Sequence, residues 1–268
     1  MVLRAIGVSL FLIAVLTLVG AAAGFFILGL KGVFFIGSLF LLASLLLTAL
    51  AWLYSPAIIL RRQKAKPSEN KDLNGMVDRM AVNARIPVPK VYIVPKDVPN
   101  SFAVGRNRNS AAVCVTEGLL TLNKGEIESV VAHEVWHIAN GDIVVQQLVA
   151  LAAAVLRLTV VLIPLAVFII RLGLSERMEY RADYYAARLA KKPKDLASAL
   201  SKMSEAARQN PMKGSPAFES IWSINPFKRE GLRRWFYTHP PTARRKKRLD
   251  DMVHEGMPET YEGTEEVE

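Results

Sequence analysis

The chain opens with two long apolar runs, from Ala5 to Leu30 and from Gly32 to Leu60, and the only charge between them is Lys31. Each exceeds the roughly 20 apolar residues that a helix needs to cross a bilayer. A cleavable signal peptide has a shorter apolar core and no second span directly behind it. The pattern therefore predicts a transmembrane hairpin over residues 1–60, with spans at about 5–30 and 33–55. Behind the second run stands Arg61-Arg62-Gln63-Lys64-Ala65-Lys66, whereas the link between the runs offers Lys31 alone. Basic residues stay on the cytoplasmic side, which puts the N terminus and everything after Leu60 in the cytoplasm.

After the hairpin the period changes. Leu73, Met76, Val77, Met80 and Ala84 recur at amphipathic-helix spacing over residues 71–85. PKVYIVP, SFAVGRN and AAVCVTEGLLT then read as short strands separated by Pro and Asn turns. ESVVAHEVWHIANGD returns to helical spacing, with Asn123 and Glu126 placed as a capping box and Gly141 at the helix end.

IVVQQLVALAAAVL and LTVVLIPLAVFII follow, two uncharged halves of 14 and 13 residues around Arg157. As helices they reach about 20 Å each, against about 30 Å of hydrocarbon. Residues 143–172 thus fit a shallow or re-entrant hairpin, or a pair packed against the first two spans. Beyond them, SERMEYRADYYAARLAKK and KDLASALSKMSEAARQN are amphipathic helices, the second with Leu196, Leu200, Met203 and Ala207 as its core stripe.

Residues 210–240 are rich in Pro, Gly and aromatics and read as a surface loop. Trp222, Phe227, Trp235 and Phe236 among Lys228, Arg229, Arg233 and Arg234 suit a membrane surface or plain packing equally. A short basic helix follows Pro240-Pro241, and the stretch 255–268 has no apolar pattern and reads as a disordered tail. The fold class that emerges is an integral membrane protein, mainly α with a small β-sheet. Its cytosolic domain is built from residues 61–142 and 173–254, on either side of the second apolar region.

Composition sharpens this only in part. The chain is 51% hydrophobic with a net charge of +10, and the last 14 residues hold six acids and no base, so the rest carries +16. Beside long apolar runs, a basic excess points to the cytoplasmic face of a membrane. No aromatic-interleaved basic motif for nucleic acid is present, which excludes that class of partner. The single cysteine, Cys114, excludes an intramolecular disulfide and, in an apolar strand, reads as a buried inert thiol.

Chemistry enters at His133-Glu134-Val135-Trp136-His137. Two histidines at i and i+4 project from one helix face, close enough to bind one metal ion. A catalytic zinc keeps three protein ligands and a water, and Glu134 beside the first histidine is placed to take that water's proton. The third ligand must come from later in the chain and from the same side of the membrane. Glu179 and Asp183 share a helix face at i and i+4. Glu179 is the candidate ligand, with Glu176 its competitor, and Asp183 is the candidate acceptor that orients a histidine ligand. Asn100, Ser101, Phe102, Ala103 and Val104 form a strand that could line the cleft and pair with an extended peptide, or could be an ordinary strand.

HEVWHIANGD, EYRAD, NSFAVGRN…AAVCVTEGLL and THPPTARR, in this order, resemble the membrane zinc metalloproteases of the HtpX type, relatives of the prenyl-protein (CAAX) endopeptidases and the mitochondrial Oma protease. The resemblance runs from the first span to about Leu249, although the interval from His137 to Glu179 is short for that family. It implies a zincin-like site facing the cytosol, with one zinc ion on His133, His137 and Glu179 and with Glu134 as base. It also implies a multi-pass protein of the cell (inner) membrane, acting on polypeptides, among them misfolded or damaged membrane proteins. In such proteins the His-Pro-Pro segment approaches the metal. His239 is therefore expected as an outer-sphere donor to the oxyanion, although by sequence alone it could merely cap or pack against the next helix. A CAAX-type processing protease, an inactive membrane scaffold and a soluble metalloprotease are the rival readings, the last opposed by the second apolar run.

Overall fold

The computed structural model describes residues 2–156, 168, 174–212, 220–227, 239–254, 256 and 261. Helices α1 (Val2–Leu28) and α2 (Leu30–Arg62) form an antiparallel hairpin that turns at Gly29, whose φ of 61° is costly for any residue with a Cβ. Both helices are long and apolar enough to cross a membrane, with mean hydropathy 2.6 and 2.5. Large side chains such as Phe26 and Phe34 point outward, as lipid-facing residues do. The helices touch backbone to backbone: a Cβ added at Gly24 would lie 2.1 Å from Gly32 O. α2 runs past residue 55, the expected end of the second span, through Pro56 to Arg62. This extension carries Ile59, fully buried, into the domain below.

That domain is a mixed four-stranded sheet with helices on one side and the membrane-proximal elements on the other. The strands are β1 (Lys66–Pro67), β2 (Lys90–Val94), β3 (Ser101–Gly105) and β4 (Ala111–Thr116), in the order β1-β2-β4-β3. β2 pairs parallel with β4 and the other pairs are antiparallel. Strand alternation divides their side chains. Ala103, Ala111, Val113 and Val115 join a core with α3 (Lys71–Asn83), α4 (Lys124–Asn140), α6 (Glu176–Ala190) and α7 (Pro193–Gln209). The expected stripe of α7, Leu196, Leu200, Met203 and Ala207, is buried there. Phe102, Val104, Ala112 and Cys114 face a second cluster with Ile59, Ala150, Trp222 and Phe227. Ala150 belongs to α5 (Asp142–Leu156), which lies against α1, α2 and β3. Residues 157–167 and 169–173, Arg157 included, lie outside the described residues; Phe168 sets its ring 5.2 Å from that of Phe11.

Residues 220–227 depart from the expected surface loop. Trp222 is 1% exposed and meets Phe102 edge to face at 4.8 Å, and Ile221, Ile224 and Phe227 are buried as well. Their spacing matches neither a helix nor a strand, so nothing periodic marks them as core. Trp235, Phe236 and their basic neighbours lie outside the described residues, as does the tail apart from Gly256 and Tyr261. The last helix among the described residues is the basic α8 (Thr242–His254), packed on α7.

β3 is the edge of the sheet, and its hydrogen bonds show which peptide groups face out. Asn100 O accepts from Thr116 on the β4 side, at 2.9 Å, whereas Ser101 O accepts from Ser223 N at 3.0 Å. At the other end, Gln147 of α5 donates to Gly105 O at 2.7 Å and accepts from Gly105 N at 3.3 Å. The odd positions therefore point outward, Ala103 among them. No described residue is bonded to the outward groups of Ala103.

Candidate metal centre

The site is built on the start of α4. Asn123 Oδ1 accepts from Glu126 N at 2.9 Å, and Glu126 Oε2 accepts from Asn123 N at 3.1 Å, closing the expected capping box. At the other end Gly141 takes the left-handed conformation, φ 76°, and ends the helix. Between these stops the register is set, and His133 and His137 lie one turn apart with ring centroids at 4.6 Å. α6 packs alongside, its Tyr185 stacked on Trp136 at 3.7 Å. It turns Glu179 and Asp183 toward the two histidines, while Glu176 is exposed and 3.4 Å from Tyr180 Oη.

The outer nitrogen of each imidazole is held by an acid. His137 Nδ1 lies 2.9 Å from Asp142 Oδ2, and His133 Nδ1 lies 3.0 Å from Asp183 Oδ1, off the axis of a good hydrogen bond. A carboxylate only accepts, so the hydrogen belongs on Nδ1 in both rings and Nε2 keeps a lone pair. These two Nε2 atoms face one another at 3.1 Å, and Glu179 presents Oε2 and Oε1 to them at 3.6 Å each. Three electron-pair donors thus converge within 4.8 Å. Ligands about 2.1 Å from a tetrahedral ion stand about 3.4 Å apart, which these edges match. The donor set fits a metal ion.

The charge balance agrees. Glu134, Asp142, Glu179 and Asp183 are each at most 4% exposed. Among the described residues the only buried guanidinium beside them is Arg245 of α8. It grips Asp183 with two bonds, 2.6 and 2.7 Å, and comes within 3.2 Å of Glu179 Oε2. Burial works against a charge on His133, yet Asp183 and Glu179 outweigh it and raise its pKa to about 9. Burial likewise opposes ionisation of Glu179, but the nearby His239, His133 and Arg245 hold its carboxyl well below the usual range. The second proton that the raised pKa of His133 implies would sit on Nε2, so a metal ion and that proton compete for the same lone pair.

His239 Nδ1 stands 3.4 Å from Glu179 Oε2, at the rim of the cluster and outside the three converging donors. A small cavity lined by Gln146, Leu174, Met178, Glu179, Ser220 and His239 opens beside it. Glu134 points elsewhere: its Oε1 accepts from Ser101 Oγ at 2.7 Å and from Ser223 Oγ. The five strand residues Asn100 to Val104 are all at most 2% exposed. The Asn100 side chain donates to Ile224 O at 2.8 Å and accepts from Ile224 N at 3.3 Å, so part of this edge is occupied by the chain's own residues.

Three participants were not singled out from the sequence. Asp142 follows the helix-ending glycine, off the helical spacing that tied Glu179 to Asp183. Arg245 sits in a basic run and looks like its solvated neighbours. Its one mark is a place four residues before Leu249, on the buried stripe of α8. Ser223 carries no signal, because it lies in an aperiodic segment.

A model of peptidase family M48 matches residues 67–253. Two relatives named Protease HtpX homolog show the same kinship. One, from Pyrococcus abyssi, is 38% identical over 239 residues, covering 77% of this chain and 83% of that protein. The other, from Pelotomaculum thermopropionicum, is 34% identical over 274 aligned positions, covering 90% and 95%. The crystal structure of S. mikatae Ste24p shares the fold at a TM-score of 0.53 and 20% identity, covering 87% of this chain and 61% of that one. With a donor set that fits a metal ion, two apolar helices and these relatives, the chain belongs to peptidase family M48 and is a membrane-bound metalloprotease of the HtpX type.

Proposed function

We propose that the chain is a zinc endopeptidase in which His133, His137 and Glu179 hold a single ion and Glu134 is the base, acting on the cytoplasmic side of the membrane. The observation that carries the ligand assignment is the pair of facing imidazole Nε2 atoms, 3.1 Å apart, each ring backed by an acid at its Nδ1. Held by His133, His137 and Glu179, a zinc ion would supply Lewis-acid polarisation of the scissile carbonyl and lower the pKa of a bound water toward neutral pH. The chain's own groups do the rest. Glu134 takes the proton from the attacking water and returns it to the leaving amine as the C–N bond breaks. Asp142 and Asp183 hold the imidazoles in the tautomer that leaves Nε2 free. His239, beside Glu179, donates to the oxygen that becomes negative when the carbonyl is attacked.

An extended peptide would pair with the strand edge at Ala103, whose peptide groups point away from β4. Substrate entry then requires the elements over this buried edge to move. The substrates by this reading are misfolded or damaged membrane proteins, since the catalytic domain is fixed directly beneath the hairpin. An inactive scaffold would have no need of four buried carboxylates set around two histidines. CAAX-type processing has in its favour only a shared fold with Ste24p.

Glu134→Gln should retain stoichiometric zinc while turnover of casein falls by about 10² to 10⁴. Glu179→Ala and chelator should both abolish zinc and activity. Metal analysis of the detergent-purified variants beside the cleavage assay decides this, and full proteolysis by Glu134→Gln sinks the mechanism.

Ala103→Pro removes an outward N–H and leaves the ladder to β4 intact, so it should raise KM for a peptide substrate with zinc content unchanged. Unaltered cleavage would make the edge an ordinary strand. His239→Ala should keep zinc and lower kcat by about 10² to 10³ with little change in KM. Loss of zinc in that variant would make His239 a ligand instead.

For topology, single cysteines at Lys66 and Lys192 should react with an impermeant maleimide only after cytoplasmic access is opened. Cys114, fully buried, stays silent in the assay. Labelling of either position in intact cells overturns the cytoplasmic placement.

A further inference from the structure

Glu134 is a long side chain with several torsions, one residue beyond His133 on α4, and helix geometry alone does not aim its carboxylate. Two buried hydroxyls do. Ser101 lies on the β3 face turned toward α4 and donates to Glu134 Oε1 at 2.7 Å. Ser223 Oγ reaches the same oxygen, and the two hydroxyl oxygens lie 2.5 Å apart, so the three oxygens form one tight triangle in which the serines also meet each other. Both contacts fall on Oε1, and no described residue bonds Oε2.

Ser223 is itself held with unusual completeness. Its N–H donates to Ser101 O at 3.0 Å and its C=O accepts from Arg245 Nη1 at 2.8 Å. The next residue, Ile224, has both peptide groups engaged by the Asn100 side chain. Trp222 and Ile224 are buried in the two different clusters that the sheet separates. A serine pinned by two main-chain bonds of its own, with two more on the next residue and buried side chains on both flanks, is a rigid mount for one hydroxyl. The sum of these contacts is an oriented carboxylate, with one oxygen fixed and the other available.

Building on the reading of Glu134 as base, we propose that Ser101 and Ser223 are positioning residues that hold Glu134 through Oε1 and present Oε2 to the reacting water. The inference reaches beyond the metal ligands and the base, because it assigns a catalytic consequence to a segment that no metal or helix motif marks. Neither serine touches the substrate in this scheme; both act through Glu134.

The test is the single variants Ser101→Ala and Ser223→Ala, the double variant, and Ser→Thr at each position, with kcat taken per bound zinc. Each alanine should lower kcat about 10-fold and the pair about 100-fold, within the range a general base supplies. KM and zinc stoichiometry should stay unchanged, and threonine should restore most of the rate because it keeps the hydroxyl. In a Glu134→Gln background the alanine changes should cost nothing further, since the carboxylate they orient is gone. Ser101→Ala removes a single oxygen from a strand and keeps the test open if the Ser223 variant folds poorly. Full kcat in both alanine variants, or the same loss in the Glu134→Gln background, overturns the proposal while the base assignment stands. Full turnover by Glu134→Gln alone brings down the base assignment first.

Discussion

Four carboxylates buried around two imidazoles cannot be neutralised by one arginine. That imbalance shapes the catalytic half of the molecule. Asp142 and Asp183 settle the tautomers, the tautomers turn two lone pairs inward, and Glu179 closes a third side of the same small volume. Removing charged groups from water is costly unless each finds compensation. Here compensation comes from Arg245 and, under the proposed reading, from a divalent ion. The helices that carry these groups are correspondingly constrained. α4 is stopped at both ends by capping chemistry, and α6 is keyed to it by the stack of Tyr185 on Trp136.

Arg245 ties this pocket to the far end of the chain. Its guanidinium binds Asp183, approaches Glu179 and donates to Ser223 O, so one side chain from α8 spans both acids of α6 and the segment beside Glu134. Burial opposes its charge, but the surrounding carboxylates hold its pKa above the ordinary arginine value. A guanidinium suits this place better than an ammonium would, because its planar fork meets two carboxylate oxygens at once and still has a donor left over.

How much of this was readable beforehand divides along periodicity. The capping box at Asn123 and Glu126, the paired histidines, the glycine stop and the acid pair on α6 are all relations within one helix, and local spacing exposes them. The short run Ser101–Gly105, bounded by Pro and Asn turns, likewise announces a strand. Relations between distant segments leave no such trace. Ser223 meets Glu134 across 89 positions, and Arg245 meets Asp183 across 62. Trp222 was read as equally suited to a membrane surface or to packing, and the structure buries it against Phe102, because neighbouring prolines and glycines hide any pattern. The expected span stops at about residue 55, yet α2 continues through Pro56 to Arg62, because the proline is only a local break in the bonding and Ile59 finds a packed site in the domain.

The extension of α2 has a mechanical meaning. Ile59, still part of the helix that rises into the apolar layer, belongs to the same cluster as Phe102 of the edge strand and Trp222 of the segment that touches Glu134. The span is thus not a tether from which an independent enzyme hangs. Its lower end is part of the domain's second core cluster, and cutting it away would uncover Phe102 and Trp222. Any shift of this helix along or about its axis therefore moves Ile59 against Phe102 and Trp222, so span and domain cannot be displaced independently.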